Sequence, residues 1–385
     1  MTAKIPSLLT LINELIAIPS ISCLTPQYDQ SNQIIIELLA HWCQDLGFSV
    51  EILPVPNYPG KFNLLATLGS GTGGLVLSGH TDTVPYDANR WQTDPFRMIE
   101  IDNRLYGLGT ADMKSFFALA LTAATQFTGK VLQHPLILLA TANEESDMAG
   151  ARALLQLGRP LARCAVIGEP TQLRPVRMHK GIFNEAIRVQ GKSAHSSNPQ
   201  AGQSALEGMY QVIGELLQWR QELQANYHDS LFEVPVPTLN LGHIQGGDSP
   251  NRICANCELH LDLRFLPGMS LKELRTLLHQ RVQQVLMASQ FQVEFVPLFE
   301  GIEAMETPHH TEIVQVAEHL TQRSAHAVAF GTEAPYLKAL GMDTIILGPG
   351  NIAQAHQPNE FIALNQLQPM INILNQLIKH FCLST

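Results

Sequence analysis

Charged residues are scarce in this sequence. Asp, Glu, Lys and Arg account for 15% of the 385 residues, whereas a soluble domain typically contains about 25%. We therefore expect much of the chain to be buried or to lie in contacts between subunits. Basic residues are fewer than acidic ones, with 24 Lys and Arg against 34 Asp and Glu, and the net charge is −10. Because phosphate backbones are bound by basic stripes and the sequence has none, nucleic acid is excluded as a partner.

Long apolar runs are also missing. No segment approaches the roughly 18 consecutive apolar residues of a membrane-spanning helix, so we expect no membrane partner. Residues 6–17 are predicted to form an amphipathic helix rather than a secretory signal peptide. These features predict a soluble cytoplasmic protein with reduced thiols.

Cysteine is infrequent, with six scattered residues. Cys254 and Cys257 form an isolated C-x-x-C within RICANCELHLDLRF. This segment alternates like a β-strand, in which residues three apart point to opposite faces. The pattern favours two buried structural thiols over a redox or metal-binding pair, with thiol catalysis left open as an alternative.

The length of the chain exceeds that of one ordinary hydrophobic core, which predicts two domains. Up to residue 180, helical patterns alternate with short apolar runs, for example strand 136–142, helix 148–157 and strand 164–168. Such continuous apolar strands are typical of a sheet that is covered on both faces. The first part of the chain is therefore predicted to belong to the α/β class.

A different pattern occupies residues 181–297. Alternating strands and two helices follow one another in the order βαββαβ, which is typical of a two-layer α+β domain. The α/β pattern returns after this segment. We therefore predict an α/β domain built from residues 1–180 and 298–385, interrupted by an inserted domain at 181–297, because insertions are tolerated where their ends lie close together.

Several apolar runs lead directly into residues that can bind metal ions. The residues in question are His80, Asp112, Glu144, Glu145, Glu169 and His356. Because open α/β sheets bind ligands just beyond the carboxyl ends of their strands, these side chains are expected to meet at one sheet edge. Imidazoles and carboxylates brought together in this way predict a metal site with hydrolytic chemistry.

The motif His80-Thr81-Asp82 ends one of these runs. Residues two apart on an extended segment share a face, so Asp82 could accept a hydrogen bond from the ring nitrogen of His80 that does not face a metal. A structural histidine is the alternative. Asp112 precedes a helix, where it could cap the helix or bridge two metal ions with its two oxygens.

Glu144 and Glu145 are adjacent acids after the run LILLATAN. On a strand they would point to opposite faces, whereas a turn at the strand end can bring both toward one cavity. One carboxylate could then bind metal while the other acts as a general base. Two solvated surface acids are the alternative interpretation.

Three further residues have ordinary explanations when each is taken alone. Glu169 could start a helix, and His356 could be a loop histidine, since the chain has 15 histidines and most cannot be ligands. His195 lies in KSAHSSNP within the insert, where neighbouring serines could satisfy it. A functional role for His195 requires that the insert reach the metal edge.

Five motifs in order and spacing resemble the M20 family of dinuclear zinc amidohydrolases and peptidases. The motifs are GHTDTVP, YGLGTADMK, ATANEES, IGEPT and AHQPNE. The resemblance covers essentially the whole chain. It implies a zinc-peptidase-like catalytic domain, with a mixed sheet covered by helices on both faces, and an inserted domain that serves as lid and dimerisation domain of a homodimer.

The resemblance also implies the ligands of two zinc ions per subunit, which Co²⁺ or Mn²⁺ could replace. His80 and Glu169 would hold one ion. Glu145 and His356 would hold the other, with Asp112 bridging the two. The peptide bond after Asp112 is expected to be cis.

Catalytic and substrate-binding roles come from the same resemblance. Glu144 would be the general acid/base, Asp82 would support His80, and His195 would act as an oxyanion-side donor in the partner subunit's active site. Five positions match substrate contacts of related enzymes: Asn251, Arg264, Gly331, Thr332 and Asn351. The implied reaction is hydrolysis of the N-acetyl amide of a small N-acetyl amino acid. A desuccinylase, an aminoacylase, a dipeptidase and a non-catalytic zinc-binding module are the alternatives.

Overall fold

The structure is a computed structural model that describes residues 5–289 and 291–383. The chain forms two compact units. The larger unit comprises the chain up to residue 177, residues 307–326 and the chain from residue 333 onward, and the inserted unit comprises 178–306 and 327–332. The domain boundaries at 180/181 and 297/298 stay a prediction. The structural division falls later than 297 because the strand Gln292–Ile302 continues beyond that residue.

Helices and strands alternate along most of the described residues. The helices are α1 (Leu8–Ile16), α2 (Gln33–Asp45), α3 (Lys114–Ala124), α4 (Ala149–Leu157), α5 (Ala205–Asn226), α6 (Leu271–Leu286), α7 (Glu312–Thr321), α8 (Ala334–Ala339) and α9 (Leu367–Ile378). The strands are β1 (Ser49–Pro54), β2 (Phe62–Leu68), β3 (Leu75–His80), β4 (Ile99–Ile101), β5 (Arg104–Tyr106), β6 (Leu136–Thr141), β7 (Cys164–Ile167), β8 (Val176–His179), β9 (Gly181–Gln190), β10 (Thr238–Gly246), β11 (Asn256–Phe265), β12 (Gln292–Ile302), β13 (Met305–Glu306), β14 (His326–Val328), β15 (Asp343–Ile346) and β16 (Phe361–Ala363).

The larger unit is built on a mixed sheet. Its strands are arranged in the order β1-β2-β6-β3-β7-β15. The pairs β1/β2 and β2/β6 are antiparallel, whereas β3 pairs in parallel with β6 and β7, and β15 pairs in parallel with β7. Every residue of β3 and β6 is buried, so both faces of the sheet are covered. The predicted α/β class with a mixed sheet is confirmed.

Parallel pairing places several strand ends at the same edge. His80, the last residue of β3, lies in register with Thr141, the last residue of β6, and Ser78 lies in register with Ile167 at the end of β7. Helix α3 packs in the core with every residue buried except Thr122. The loops after β3, β6 and β7 therefore start from one edge of the sheet, on a rigid support.

The inserted unit has the order βαββαβ from β9 to β12. Its strands form an antiparallel sheet in the order β10-β11-β9-β12. Residues of β11 alternate between buried and partly exposed, and the buried set packs with side chains of α5 and α6 such as Trp219 and Leu278. This alternation is the period of two that distinguishes the insert in the sequence.

The two cysteines of the C-x-x-C motif differ from the expectation of opposite faces. Cys254 precedes β11, which begins at Asn256, and so it is not on the strand. Both Cys254 and Cys257 are therefore able to pack into the same core, and both are buried and free. Their burial agrees with structural thiols. Within the described part of the chain, no helix has the length and apolarity needed to cross a membrane.

Gly168 allows the end of β7 to approach α3 closely. A Cβ at this position would lie 2.0–2.3 Å from the ring of Phe116, and that ring is buried. Because a buried ring has little room to move, Gly168→Ala is expected to lower stability by about 1–3 kcal/mol. A thermal unfolding scan would show this as a reduced Tm.

Gly214 provides the matched control. It lies exposed in α5, and a Cβ there would meet none of the described atoms within 4 Å. Gly214→Ala is expected to raise stability by about 0.4–1 kcal/mol because alanine reduces the entropy of the unfolded chain. An unchanged Tm for Gly168→Ala would show that the close approach to Phe116 does not restrict the size of the side chain at position 168.

Candidate metal centre

The predicted ligands lie at or after the ends of strands of the larger unit, or before α3. His80 ends β3, Glu145 lies four residues after β6, and Glu169 lies two residues after β7. Asp112 lies just before α3, and the peptide bond between Asp112 and Met113 is cis, as expected. His356 lies between β15 and β16. These placements agree with side chains meeting at one sheet edge.

Asp112 lies between the two histidines. Its Oδ1 is 3.0 Å from His80 Nε2, and its Oδ2 is 3.7 Å from His356 Nε2. His80 Nε2 is also 3.5 Å from Glu169 Oε1, and His356 Nε2 is 2.9 Å from Glu145 Oε2. The five side chains therefore form two halves that share the Asp112 carboxylate.

The donor atoms of this cluster fit divalent metal ions. Ligand atoms from His80, Asp112 and Glu145 all lie within 4.8 Å of one another. Carboxylate oxygens and imidazole nitrogens are the ligand types that zinc takes in hydrolytic sites. The shared carboxylate is the feature required when two ions lie about 3.5–4 Å apart.

Burial makes this cluster electrostatically costly in the absence of cations. It raises the pKa of Glu145, and it raises the pKa values of Glu144 and Glu169 well above the usual range. The hydrogen bond to Glu145 raises the pKa of His356 to about 9. Burial alone would lower the pKa of His80, but the hydrogen bond to Asp112 and nearby carboxylates raise it well above its usual value. The carboxylates thus favour positive charge at this centre, which protonated imidazoles or bound cations would supply.

Asp82 has a different partner from the one expected. His80 Nδ1 is 2.9 Å from the main-chain oxygen of Asp82, whereas the Asp82 carboxylate lies 3.8 Å from that nitrogen. The carboxylate instead accepts hydrogen bonds from the main-chain N–H groups of Glu144 and Glu145, at 3.2 and 3.0 Å. The turn at Asn143, which has a φ of 60°, presents these N–H groups. Asp82 therefore fixes the two glutamates, and its main chain fixes His80.

Glu360 is a buried residue that the sequence interpretation missed. Its carboxylate accepts hydrogen bonds from the main-chain N–H groups of Gly109, Ala111 and Asp112, at 2.9, 2.7 and 3.0 Å. Burial raises its pKa to about 8, and these N–H donors oppose the rise. Three donors are the partners of a carboxylate, so we assign Glu360 as ionised. Its position at the end of AHQPNE was the available signal.

Lys114 supports this assignment. It is fully buried, its Nζ donates to the main-chain oxygen of Ile18 at 2.8 Å, and burial lowers its pKa to about 7 against the opposing charges of Glu360 and Asp82. The charges of Glu360 and Asp82 favour the protonated form of Lys114, and a protonated Lys114 would in turn favour their ionised forms. The hydrogen bonds of Glu360 attach the loop that carries Asp112 to the segment after His356.

His195 and four of the predicted substrate contacts belong to the inserted unit. Those four are Asn251, Arg264, Gly331 and Thr332. His195 Nδ1 accepts a hydrogen bond from the N–H of Ser197 at 3.1 Å and lies 2.7 Å from its hydroxyl oxygen. The ring proton of neutral His195 is therefore on Nε2. The main-chain oxygen of Asn251 accepts from the N–H of Ser196 at 3.0 Å, so these two loops lie together.

The other predicted substrate contacts have structural partners of their own. Arg264 donates from Nε to Asp262 Oδ1 at 3.3 Å and from Nη1 to the main-chain oxygen of Ala329 at 3.1 Å. Thr332 is buried. Asn351 belongs to the larger unit, where its Oδ1 accepts from the N–H of Ala353 at 3.0 Å. Their roles toward a substrate stay predictions.

The chain matches a known family over most of its length. The profile of peptidase family M20/M25/M40 matches residues 76–380, and this protein belongs to that family. It is accordingly a metal-dependent hydrolase, and the resemblance found in its sequence motifs is confirmed.

Individual relatives are close and cover the full chain. Over 382 residues the chain is 50% identical to the acetylornithine deacetylase of Edwardsiella ictaluri, covering 99% of this chain and 100% of that protein. It is 49% identical over 384 residues to the acetylornithine deacetylase of Proteus mirabilis, covering 100% and 99%.

Solved structures share the fold at lower identity. A tripeptidase from Staphylococcus aureus superposes with a TM-score of 0.76 at 20% identity over 97% of each chain. A dinuclear metal-binding peptidase from Bacillus subtilis superposes with a TM-score of 0.67 at 14% identity over 96% of each chain. These likenesses support the α/β fold.

Glu360→Gln is expected to weaken metal binding. The amide NH₂ of glutamine would face a main-chain N–H, so the loop carrying Asp112 would lose the partner of one or more of its three donors. Outer partners of metal ligands typically contribute 10- to 100-fold to affinity, so we expect a loss of about this size. Competition with a chromogenic zinc chelator would measure it.

The exposed Glu100 on β4 gives a matched control for the same substitution. Glu100→Gln should leave zinc affinity unchanged. Wild-type affinity in Glu360→Gln would contradict the role assigned to Glu360.

Proposed function

We propose that this protein is a two-zinc amidohydrolase that converts N2-acetyl-L-ornithine and water to L-ornithine and acetate, a reaction of arginine biosynthesis. The observation that carries this proposal is the position of Asp112, whose two oxygens each face one imidazole. The proposed substrate class is supported by two relatives, at 50% and 49% identity, that are named acetylornithine deacetylase. The protein would act in the cytoplasm as a homodimer.

The larger unit would hold both ions. His80 and Glu169 would hold one, Glu145 and His356 would hold the other, and Asp112 would bridge them. Bound divalent cations supply Lewis acidity, which polarises a carbonyl oxygen and lowers the pKa of water toward neutrality. The same oxygen and nitrogen donors would accept Co²⁺ or Mn²⁺.

Glu144 would move the proton. Asp82 holds its main-chain N–H, and its side chain lies close enough to His80 and Glu169 to interact with them electrostatically. A carboxylate in this position would accept a proton from the attacking water and later donate it to the departing nitrogen. Burial raises its pKa, which suits a group that both accepts and donates near neutral pH.

The inserted unit would supply the contacts to the acyl group and the amino acid. His195 would donate from Nε2 to the developing oxyanion in the partner subunit's active site, a contact typically worth about 3–4 kcal/mol. Arg264 would bind the α-carboxylate, because a guanidinium matches the two oxygens. Asn251, Gly331 and Thr332 would complete the substrate contacts together with Asn351. Closure of this unit as a lid would exclude water.

A substrate panel tests the proposed reaction. We expect kcat/KM for N2-acetylornithine to exceed that for N-succinyl-diaminopimelate and for dipeptides by about 100-fold, because each misplaced polar group in a fitted pocket costs about 1–3 kcal/mol. A chelator should abolish the activity and added zinc should restore it. Higher activity on the succinyl substrate, or full activity after verified metal removal, would overturn the proposal.

Glu144→Gln separates proton transfer from metal binding. Because the substitution removes the acid/base group but not a ligand, kcat should fall by about 10²- to 10⁴-fold while zinc content is unchanged. Glu145→Gln is the matched variant and should lose zinc. Both quantities can be measured by steady-state kinetics and elemental analysis, and more than about 5% residual activity in Glu144→Gln would exclude its role as the base.

A further inference from the structure

Glu333 is a buried acid of the larger unit that has no part in the proposed reaction. It precedes α8, is 2% exposed, and makes no capping hydrogen bond to that helix. Its Oε2 instead lies 2.8 Å from Thr141 Oγ1. Its Oε1 is buried and has no hydrogen-bond partner among the described residues. A buried carboxyl with this pairing needs an explanation, because an unsatisfied ionised oxygen is costly.

Thr141 joins the two strands that lead to the metal centre. It ends β6, and its main-chain oxygen accepts hydrogen bonds from the N–H and the hydroxyl of Thr81, at 3.0 and 2.9 Å. Its own hydroxyl oxygen lies 3.2 Å from the main-chain oxygen of Gly79. Thr81 and Gly79 flank His80, and the turn to Glu144 begins after Thr141. Thr141 therefore contacts the segment that carries His80 and directly precedes the turn that leads to Glu144.

The number of protons available to these hydrogen bonds indicates whether the Glu333 carboxyl is neutral or ionised. The Thr141 hydroxyl has one proton, and the oxygen of Gly79 can only accept. If the Glu333 carboxyl carries a proton on Oε2, it donates to Thr141, and Thr141 donates to Gly79. If Glu333 is ionised, one of these two contacts lacks a proton, and Oε1 is left as a charged oxygen without a donor. The neutral form supplies a proton to both contacts and leaves Oε1 as an uncharged carbonyl oxygen.

The surroundings agree with this count. The titratable groups that interact electrostatically with Glu333 are His80 at the end of β3, Asp82 after it, Glu144 after β6 and Tyr336 on α8. Burial raises the pKa of Glu333 to about 7, against the opposing effect of the contact with Thr141. The charge of His80 favours the ionised form, whereas the negative charges of Asp82 and Glu144 favour the protonated form.

We propose that Glu333 is a positioning residue that acts as a neutral hydrogen-bond donor to Thr141 and thereby fixes the junction that presents His80 and Glu144. This inference rests on the proposed deacetylase function for its kinetic test. It concerns a contact between α8 and the end of β6 that is separate from the metal ligands. Glutamine can replace such a donor, because its amide NH₂ can occupy the position of the protonated oxygen.

The experiment compares four zinc-loaded full-length variants with wild type: Glu333→Gln, Glu333→Ala, Thr141→Val and the double variant Glu333→Ala/Thr141→Val. Glu333→Gln should keep kcat within about threefold. Glu333→Ala and Thr141→Val should each lower kcat by about 10- to 100-fold with little change in KM, as expected when reacting groups are misplaced. The double variant should be no worse than the poorer single variant, because both remove one contact.

Two outcomes would overturn the proposal. Equal loss in Glu333→Gln and Glu333→Ala would mean that the carboxyl acts in its ionised form. A raised KM with unchanged kcat would mean that it contacts substrate. Should Glu333→Ala fail to fold, Glu333→Gln and Thr141→Val decide the same question.

Unfolding temperature gives a readout that does not depend on the reaction. Glu333→Gln should melt within about 2 °C of wild type and Glu333→Ala several degrees lower, with Glu100→Gln as the neutral control. If wild type does not hydrolyse acetylornithine but this order of Tm holds, the proposed function fails and the role of Glu333 as a neutral donor stands. If Glu333→Gln melts as low as Glu333→Ala, the inference about Glu333 fails by itself.

Discussion

The metal centre depends on how buried negative charge is balanced. Asp112, Glu145 and Glu169 lie together in a buried region, and their ion-pair partners are His80 and His356. Burial raises the pKa values of Glu145 and Glu169, whereas the hydrogen bond to His80 lowers that of Asp112 despite its burial. These imidazoles can balance the acids only by taking up protons. Divalent ions would remove that requirement and would use the same oxygen and nitrogen atoms. Folding of this edge and metal binding are therefore coupled, since the cations stabilise the state in which all ligands are ionised.

The negative charges of Asp82 and Glu360, which lie next to the ligands, are balanced by main-chain N–H groups. Asp82 and Glu360 accept hydrogen bonds from main-chain N–H groups of the segments that carry Glu145 and Asp112. Such bonds hold a segment of backbone rather than one rotamer, so each acid fixes a whole ligand loop. Because β3 is buried on both faces, the strand side of the site is rigid as well. Hydrogen bonds within the protein thus hold the ligand loops in addition to any bound metal.

Sequence patterns predicted the parts of this arrangement that have a local signal. Apolar runs that end in His80 or Glu169 can be recognised because strand and ligand are adjacent in the chain, and the change of period at residue 181 marks the insert. The contacts of Asp82 and Glu333 had no such signal, and for Glu360 the signal was its position at the end of AHQPNE. Glu333 meets Thr141 across 192 residues and Glu360 meets Ala111 across 249, and each of them lies in a loop without periodicity. The hydrogen bonds of Asp82 depend on a turn at a residue with positive φ. The alternation of residues along a strand does not predict such a turn.

Glu333 and Glu360 together show why burial alone does not define the charge of an acid. Both are almost fully buried, and desolvation raises the pKa of each. Glu360 faces three N–H donors and a buried lysine, which an anion satisfies. Glu333 faces a hydroxyl whose single proton can also be donated to a main-chain oxygen, and a carboxyl that donates satisfies both contacts. The number of protons that neighbouring groups can donate therefore decides whether each acid is neutral or ionised. For this reason one sheet edge can contain both a neutral carboxyl group and ionised ones near the metal ligands.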